Sequence, residues 1–288
     1  MPKYPQRKAQ TMRLSDATRM LAEAGIENAR GEAIAIFAEL GGMRRADMIG
    51  CDPVSNLPTV ISAIERRKKR EPLQYILGEV DFYRERYKVT PDCLIPRSDT
   101  EVLVDFAVKN MPCGARFLDL CTGSGCIAIS TLANTDNTQA VAVDLSRSAL
   151  EIAKENATAN GVANKITFTE ADVLKERIGG DFYAVLSNPP YVTEQAYTSL
   201  EPEIYHEPQM ALVGTDSDGA GFYRRITELY RDVVENGGFI AFEIGYDQGS
   251  ALCEIADKVG IPCKIIKDLS GLDRVAVLRK LTILTTYA

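Results

Sequence analysis

From residue 117 onward, short apolar runs alternate with amphipathic stretches, and this alternation restricts the architecture more than any other feature of the chain. Residues 117–120, 140–143, 166–169, 182–186, 239–244 and 263–267 read as strands. Residues 126–132, 148–160, 221–235 and 247–259 read as the helices between them. A turn at 268–273 leads to a last strand at 274–279, close enough to pair antiparallel with its predecessor. The expected fold is a Rossmann-like α/β sheet, mostly parallel with the last strand antiparallel, and covered by helices on both faces. Ligands of such sheets bind beyond the carboxyl ends of the strands. Gly123, Asp144, Asp172 and Asn188 all fall there.

Ser187-Asn188-Pro189-Pro190-Tyr191 follows the fourth strand. Asn188 precedes a proline, which pushes its backbone toward extended geometry. Pro189 and Pro190 have a fixed φ and no N–H to donate. The result is a stiff strand end offering the Asn188 side-chain carbonyl and the Pro189 main-chain carbonyl. Two such acceptors can hold both hydrogens of a planar –NH2 group, with the Tyr191 ring lying against its plane. A planar amide nitrogen is a poor nucleophile. Fixing both N–H bonds orients it and favours positive charge building on it.

The first strand runs into Cys121-Thr122-Gly123-Ser124-Gly125, a loop whose glycines let a ligand approach the backbone and point a helix N-terminus at it. Asp144 lies 21 residues past Gly123, at the end of the second strand, where a carboxylate accepts hydrogen bonds from ribose hydroxyls. Gly123-x-Gly125-x-x-Ala128 also fits the G/A form of the dinucleotide fingerprint. On these residues alone, nicotinamide dinucleotide and S-adenosylmethionine stay equally open. The fourth strand tips the reading. A nicotinamide enzyme needs a hydride partner and usually an acid/base group, whereas this chain offers amide-holding acceptors. S-adenosylmethionine needs little more than a nucleophile held in line with its methyl group.

Composition narrows the class. The chain has 288 residues, 45% apolar and 25% charged, as in a soluble globular protein. No apolar run approaches the roughly 20 residues needed to span a bilayer. Residues 1–10 are expected to be loose, basic and without the apolar centre of a secretory signal. Seven cysteines without a C-x-x-C pair fit reduced thiols in a cytoplasm and argue against a zinc site. A single histidine, His206, argues against a Ser-His-Asp triad or a multi-histidine metal site.

Residues 14–24, 28–40 and 57–69 carry helical periodicity and form a small helical bundle, with a short helix at 44–49 between them. Residues 1–70 hold 13 Lys and Arg against 8 Asp and Glu in a chain of net charge −7, which suggests a partner-binding surface. Residues 74–82 and 86–89 read as a β-hairpin connector. Ser98 and Glu101 are spaced as a helix capping box. The expected domains are a helical substrate-docking domain at 1–71, the connector at 72–95 and the catalytic domain at 96–288.

Asp119-x-Cys121-x-Gly123-x-Gly125 together with Asn188-Pro189-Pro190-Tyr191 resembles a class I S-adenosylmethionine-dependent methyltransferase acting on a planar nitrogen. Further motifs are similar to those of the PrmC/HemK family. They are Pro72-x-Gln74-Tyr75-Ile76-x-Gly78, residues 95–101, Glu207-Pro208-x-x-Ala211-Leu212, Glu243-Ile244-Gly245 and Asp268-Leu269-x-Gly271-x-Asp273-Arg274-Val275. The resemblance runs from about Pro72 to Val277. It implies methyl transfer to the side-chain amide nitrogen, N5, of the glutamine in the Gly-Gly-Gln motif of peptide chain release factors, a cytoplasmic step in translation termination. It places S-adenosylmethionine, released as S-adenosylhomocysteine, against Cys121, Thr122, Gly123, Ser124, Gly125, Asp144, Asp172, Val173 and Asn188. It places the target glutamine against Asn188, Pro189, Pro190 and Tyr191, with Asn188, Pro189 and Tyr191 as the catalytic set. No metal is expected, and the expected state is a monomer.

Two positions depart from the family pattern: Cys121 stands where many methyltransferases have glycine, and Ser98 where proline is frequent. The alternative reading is an adenine amino-methyltransferase acting on DNA or RNA, since adenine also presents a planar –NH2. The acidic catalytic half argues against direct nucleic-acid binding. A non-catalytic nucleotide-binding adaptor would have no need for the paired acceptors at Asn188 and Pro189.

Overall fold

The computed structural model describes residues 11–280, so the expectation for residues 1–10 lies outside the described part. The chain forms two compact units. The smaller comprises the residues up to Gly78 together with Glu201–His206, and the larger comprises Glu79–Leu200 and the residues from Glu207 onward.

In the smaller unit, β1 (Met12–Arg13) pairs antiparallel with β2 (Val54–Ser55). Three helices form its body: α1 (Leu14–Glu23), α2 (Ala29–Glu39) and α3 (Pro58–Lys68). Their apolar faces meet in a core of Leu14, Leu21, Ile36, Phe37, Val60 and Ile64, all fully buried. Pro58 starts α3 with a preset φ, and Arg66, Arg67 and Lys68 complement the helix dipole in its last turn.

Much of the basic surplus of this unit is neutralised within it. Arg66 pairs with Glu71, Arg67 with Glu32 and Glu203, Lys68 with Glu65, and Arg70 with Glu201 and Glu203. Glu203 belongs to the segment 201–206, which the chain contributes from far downstream.

The expected hairpin is shorter than its sequence pattern. Gln74 lies in α4 (Leu73–Leu77), not in a strand. Pro72 precedes this turn of helix, and Gly78 closes it with φ 82°, a left-handed cap that glycine adopts without steric cost. The hairpin proper is β3 (Glu79–Phe82) with β4 (Glu85–Lys88). Its Phe82 and Tyr87 enter the core of the larger unit. The capping box does not form. Ser98–Thr100 is a 3-10 turn leading into α5 (Glu101–Asn110) without a side-chain cap. The Glu101 carboxylate instead accepts the N–H of Tyr83 at 2.9 Å, a turn residue with φ 56°.

The larger unit follows the expected alternation. The chain runs β5 (Arg116–Leu120), α6 (Cys126–Ala133), β6 (Gln139–Asp144), α7 (Arg147–Ala159), β7 (Ile166–Glu170) and β8 (Phe182–Ser187). It continues through α8 (Glu194–Tyr197), α9 (Gly221–Tyr230), β9 (Val234–Glu243), α10 (Gly249–Lys258), β10 (Cys263–Lys267) and β11 (Asp273–Arg279). The seven-stranded sheet has the order β10-β11-β9-β8-β5-β6-β7. β11 lies between β10 and β9, antiparallel to both, and the other pairs are parallel.

Both faces of the sheet are buried, which explains the nearly continuous apolar strands. Alternate residues go to opposite faces. Phe117, Ala184, Leu186 and Phe239 pack under α5 and α6, while Leu118, Leu120, Val185 and Ile240 pack under α9 and α10. The strand order reverses at β5: β6 and β7 extend to one side, β8 and β9 to the other. The crevice at such a reversal is where open α/β sheets place ligands.

Candidate active site

A cavity of about 480 Å³ opens at this reversal, within the range of small-molecule sites. Of the expected residues, Cys121, Gly123, Asp144, Asp172, Val173, Asn188 and Pro190 line it. They come from the ends of four neighbouring strands, which the parallel register sets side by side.

The loop after β5 is held from behind. Asp119 is fully buried in β5. Its carboxylate accepts from the Thr122 hydroxyl at 2.6 Å and from the Ala128 N–H in the first turn of α6 at 3.1 Å. It thereby satisfies a helix N–H that has no partner within the helix. Asn156 of α7 donates to the Ser124 carbonyl at 2.9 Å. Thr122 and Ser124 therefore turn into the protein and do not line the cavity. Gly125 does not line it either. Its φ is 83°, and a Cβ there would lie 2.8 Å from Ile129 and 3.1 Å from Ala153. Cys121 adopts φ 60°, the left-handed conformation that explains the usual glycine at this place. Gly123, with φ 54° and open space where a Cβ would stand, leaves its backbone bare to the cavity.

Asp144 accepts the Gly123 N–H at 2.8 Å and the Ser146 N–H at 2.9 Å, one on each oxygen. Burial raises its pKa, opposed by these backbone bonds. A carboxylate has about four lone-pair sites, so acceptor capacity remains for ligand hydroxyls. Asp172 is held by the Leu174 N–H and by Lys175, whose ammonium lowers its pKa.

Asn188 enters the cavity at the end of β8, and its Nδ2 donates to Thr100 Oγ1 at 3.4 Å. Pro189 is buried, and Tyr191 packs against the core under α9 and α10; neither lines the cavity. Burial and the nearby Glu243 carboxylate raise the Tyr191 phenol pKa. After Val192 the chain leaves and returns, pairing in parallel with Val213. This return brings Pro208, Met210, Ala211 and Val213 into the cavity wall.

Three further residues shape the site from outside it. Glu207, 5% exposed, accepts the Ile95 N–H at 3.0 Å and pairs with Arg97. Glu243 and Arg274 lie beside Thr100 and Tyr191. All three fall in motifs visible in the sequence, which carries no sign of what they touch. Pro91, Leu94, Met210 and Ala211, which also line the cavity, carry no polar signature in the sequence. Among the described residues, no group of three or more His, Cys, Asp or Glu is placed to hold a metal ion, and no helix is long and apolar enough to cross a membrane.

The family model described as Methyltransferase small domain matches residues 98–214, and that described as PrmC N-terminal domain matches residues 14–78. A protein of Thermodesulfovibrio yellowstonii named release factor glutamine methyltransferase is 42% identical over 231 residues, 77% of this chain and 81% of that protein. The chain belongs to the release factor glutamine methyltransferase family. Another member with that name, from Geobacter sulfurreducens, is 36% identical over 88% of this chain and 91% of its own length. A methyltransferase crystal structure from Pyrococcus furiosus superposes with a TM-score of 0.52 at 18% identity, covering 68% of this chain and 89% of that one, a likeness of fold. The chain is thus a class I methyltransferase, a fold that implies S-adenosylmethionine as methyl donor, and the residues at the cavity suit it. A bare backbone at Gly123, a carboxylate with spare acceptor capacity at Asp144 and an apolar wall at Val173 match a nucleoside with ribose hydroxyls.

Proposed function

We propose that this chain transfers the methyl group of S-adenosylmethionine to the side-chain amide nitrogen of the glutamine in the Gly-Gly-Gln motif of peptide chain release factors. The observation that carries the reading is the meeting of Asn188 with Gly123 and Asp144 in one cavity at the strand reversal. A planar-amine acceptor and a nucleoside site share one space there. Family membership supports the same assignment.

Bound S-adenosylmethionine supplies an electrophilic methyl on a sulfonium. Asp144 would accept its ribose hydroxyls, and Cys121, Gly123, Asp172 and Val173 would hold the remainder. The Asn188 carbonyl oxygen accepts one amide N–H of the target glutamine and the Pro189 carbonyl the other. Both acceptors strengthen as positive charge builds on the nitrogen. Pro190, which lines the cavity, would flank the amide, with Tyr191 next to it in the chain packed against the core. The methylated nitrogen then sheds a proton that is strongly acidic while the charge persists, so the chain requires no dedicated general base.

The smaller unit serves as the docking domain for the release factor, acting through surface beyond the paired arginines of α3. The protein works as a cytoplasmic monomer. Labelled S-adenosylmethionine offered with a release factor, with its Gly-Gly-Ala variant, with DNA and with RNA tests the assignment. The expected label falls on the unaltered release factor alone. Label on nucleic acid would replace this reading with an adenine amino-methyltransferase.

A further inference from the structure

We propose that Cys253 and Cys263 are a modification site: a thiol pair that a low-molecular-weight disulfide converts reversibly into a cross-link stapling α10 to the edge strand β10. This holds whatever the methyl acceptor proves to be.

The fold itself brings the two sulfurs together. α10 buries Leu252, Ile255 and Ala256 in the core beneath the sheet, and Ile261, Cys263 and Ile265 pack against the same core. The chain turns from helix to strand through Gly260, whose φ is 71°, and the Ala256 carbonyl accepts the Ile261 N–H at 3.0 Å. This turn lays the start of β10 beside the helix. Cys253 Sγ then stands 2.9 Å from Cys263 Sγ, ten positions away in the chain. A disulfide bond is about 2.05 Å long, so the sulfurs need to close by only about 0.9 Å. Side-chain rotation covers that distance while the core holds both backbones. Access differs among the cysteines. Cys93 and Cys126 are buried, Cys51 and Cys113 are exposed, and Cys253 and Cys263 are half-buried, open enough for a small oxidant. Intracellular disulfides are usually transient and redox-responsive, and a preformed pair of reduced thiols fits that use.

The chemistry is thiol–disulfide exchange with glutathione disulfide as the oxidant. The thiolate is the attacking form. Burial, together with the adjoining Cys253 sulfur, pushes the Cys263 thiol up to about 12, which leaves the first attack to Cys253. Cys253 gives up its proton and bonds to one sulfur of the oxidant. The oxidant's S–S bond breaks, and one glutathione leaves and takes up that proton. Cys263 then bonds to the Cys253 sulfur, and the second glutathione leaves with the Cys263 proton. Two protein thiols are oxidised to one disulfide, and one glutathione disulfide is reduced to two glutathiones.

β10 has a sheet neighbour on one side only, β11. The cross-link ties this edge to the helix above it and restricts the unfolded chain. No residue of α10 or β10 lines the cavity, so the oxidised enzyme keeps its cofactor affinity.

The test incubates the native full chain with glutathione disulfide, blocks the remaining thiols and maps the peptides by mass. The expected product is a Cys253–Cys263 cross-linked peptide, with a melting temperature about 5 °C higher and unchanged S-adenosylmethionine affinity, all reversed by dithiothreitol. Cys263→Ser should trap glutathione on Cys253 about 10-fold faster than Cys253→Ser traps it on Cys263, and neither variant should gain in melting temperature. Cys51 and Cys113 report that the oxidant has acted. If they carry glutathione while Cys253 and Cys263 stay free, or carry glutathione without a cross-link, the proposal is overturned. A cross-link that forms only after unfolding, that lowers the melting temperature or that weakens cofactor binding would overturn it as well.

Discussion

The carboxylate of Glu207 accepts the main-chain N–H of Ile95 at 3.0 Å, joining positions 112 residues apart in the chain. Its other oxygen holds Arg97. Pro91–Leu94 and Pro208, Met210 and Ala211 all line the cavity. One buried side chain therefore staples two cavity-lining segments that are distant in the chain. Glu207→Ala leaves the buried Ile95 N–H without its acceptor, a cost of about 1–3 kcal/mol. The expected outcome is a lower melting temperature together with weaker cofactor binding. Glu207→Gln keeps an acceptor for Ile95 and should lose less of both. Calorimetric melts and cofactor titrations on the two variants check this, and equal effects from both would contradict it.

Asp144→Ala should weaken S-adenosylmethionine binding by about one to two orders of magnitude, as expected for loss of charge-assisted hydrogen bonds. The substitution also removes the acceptor for Gly123 and Ser146. Asp144→Asn, which keeps one acceptor oxygen, should fall between the two. Titration calorimetry measures both, and unchanged affinity in Asp144→Ala would remove it from the site.

Asn188→Ala should cut single-turnover transfer by about two orders of magnitude through lost alignment, and far more than it cuts cofactor affinity. Equal losses in both would make Asn188 mainly a cofactor contact.

Asp119 and Glu243 give stability an unusual pH dependence. Burial raises each carboxyl to about 7, from ordinary values of 3.8 and 4.5. Between those limits the native state binds protons that the unfolded chain does not. The contribution of these two groups is therefore fully present below about pH 4 and is lost as pH rises through about 7. Carboxylates with lowered pKa, such as Asp268, which accepts the Leu272 N–H and lies beside Arg274, and Glu71 beside Arg66, work in the opposite direction, losing their contribution as pH falls through their folded values. From about pH 5 to 7.5 the buried pair should make the melting temperature decline. Asp119→Asn and Glu243→Gln should flatten that decline.

Arg67 is 6% exposed and pairs with both Glu32 and Glu203. Arg67→Met strips two largely buried carboxylates of a partner, at a cost of about 3 kcal/mol, somewhat relieved because Arg70 still holds Glu203. Arg66 and Glu71 are more exposed, and Arg66→Ala should cost about 1 kcal/mol or less. Denaturant melts of the two variants give the comparison.

The sequence by itself determined the order of strands and helices in the larger unit, because a buried strand and an amphipathic helix each leave a local period. It also placed Gly123, Asp144, Asp172 and Asn188 at the carboxyl ends of strands, and the sheet then brings them together in one cavity. Local pattern reached its limit at residues 74–77, where an apolar run fits a helical turn as well as a strand and the left-handed cap at Gly78 makes it a helix.

Only the tertiary structure decided which side chains serve one another. Glu101 answers the Tyr83 N–H instead of capping its own helix, and Thr122 and Ser124 turn inward to Asp119 and Asn156. Glu207 finds Ile95, and Glu203 joins the arginines of a unit whose other residues end at Gly78. These pairings span from three to more than a hundred residues. They follow from strand order and burial, which leave a polar group only the partners that packing brings within reach.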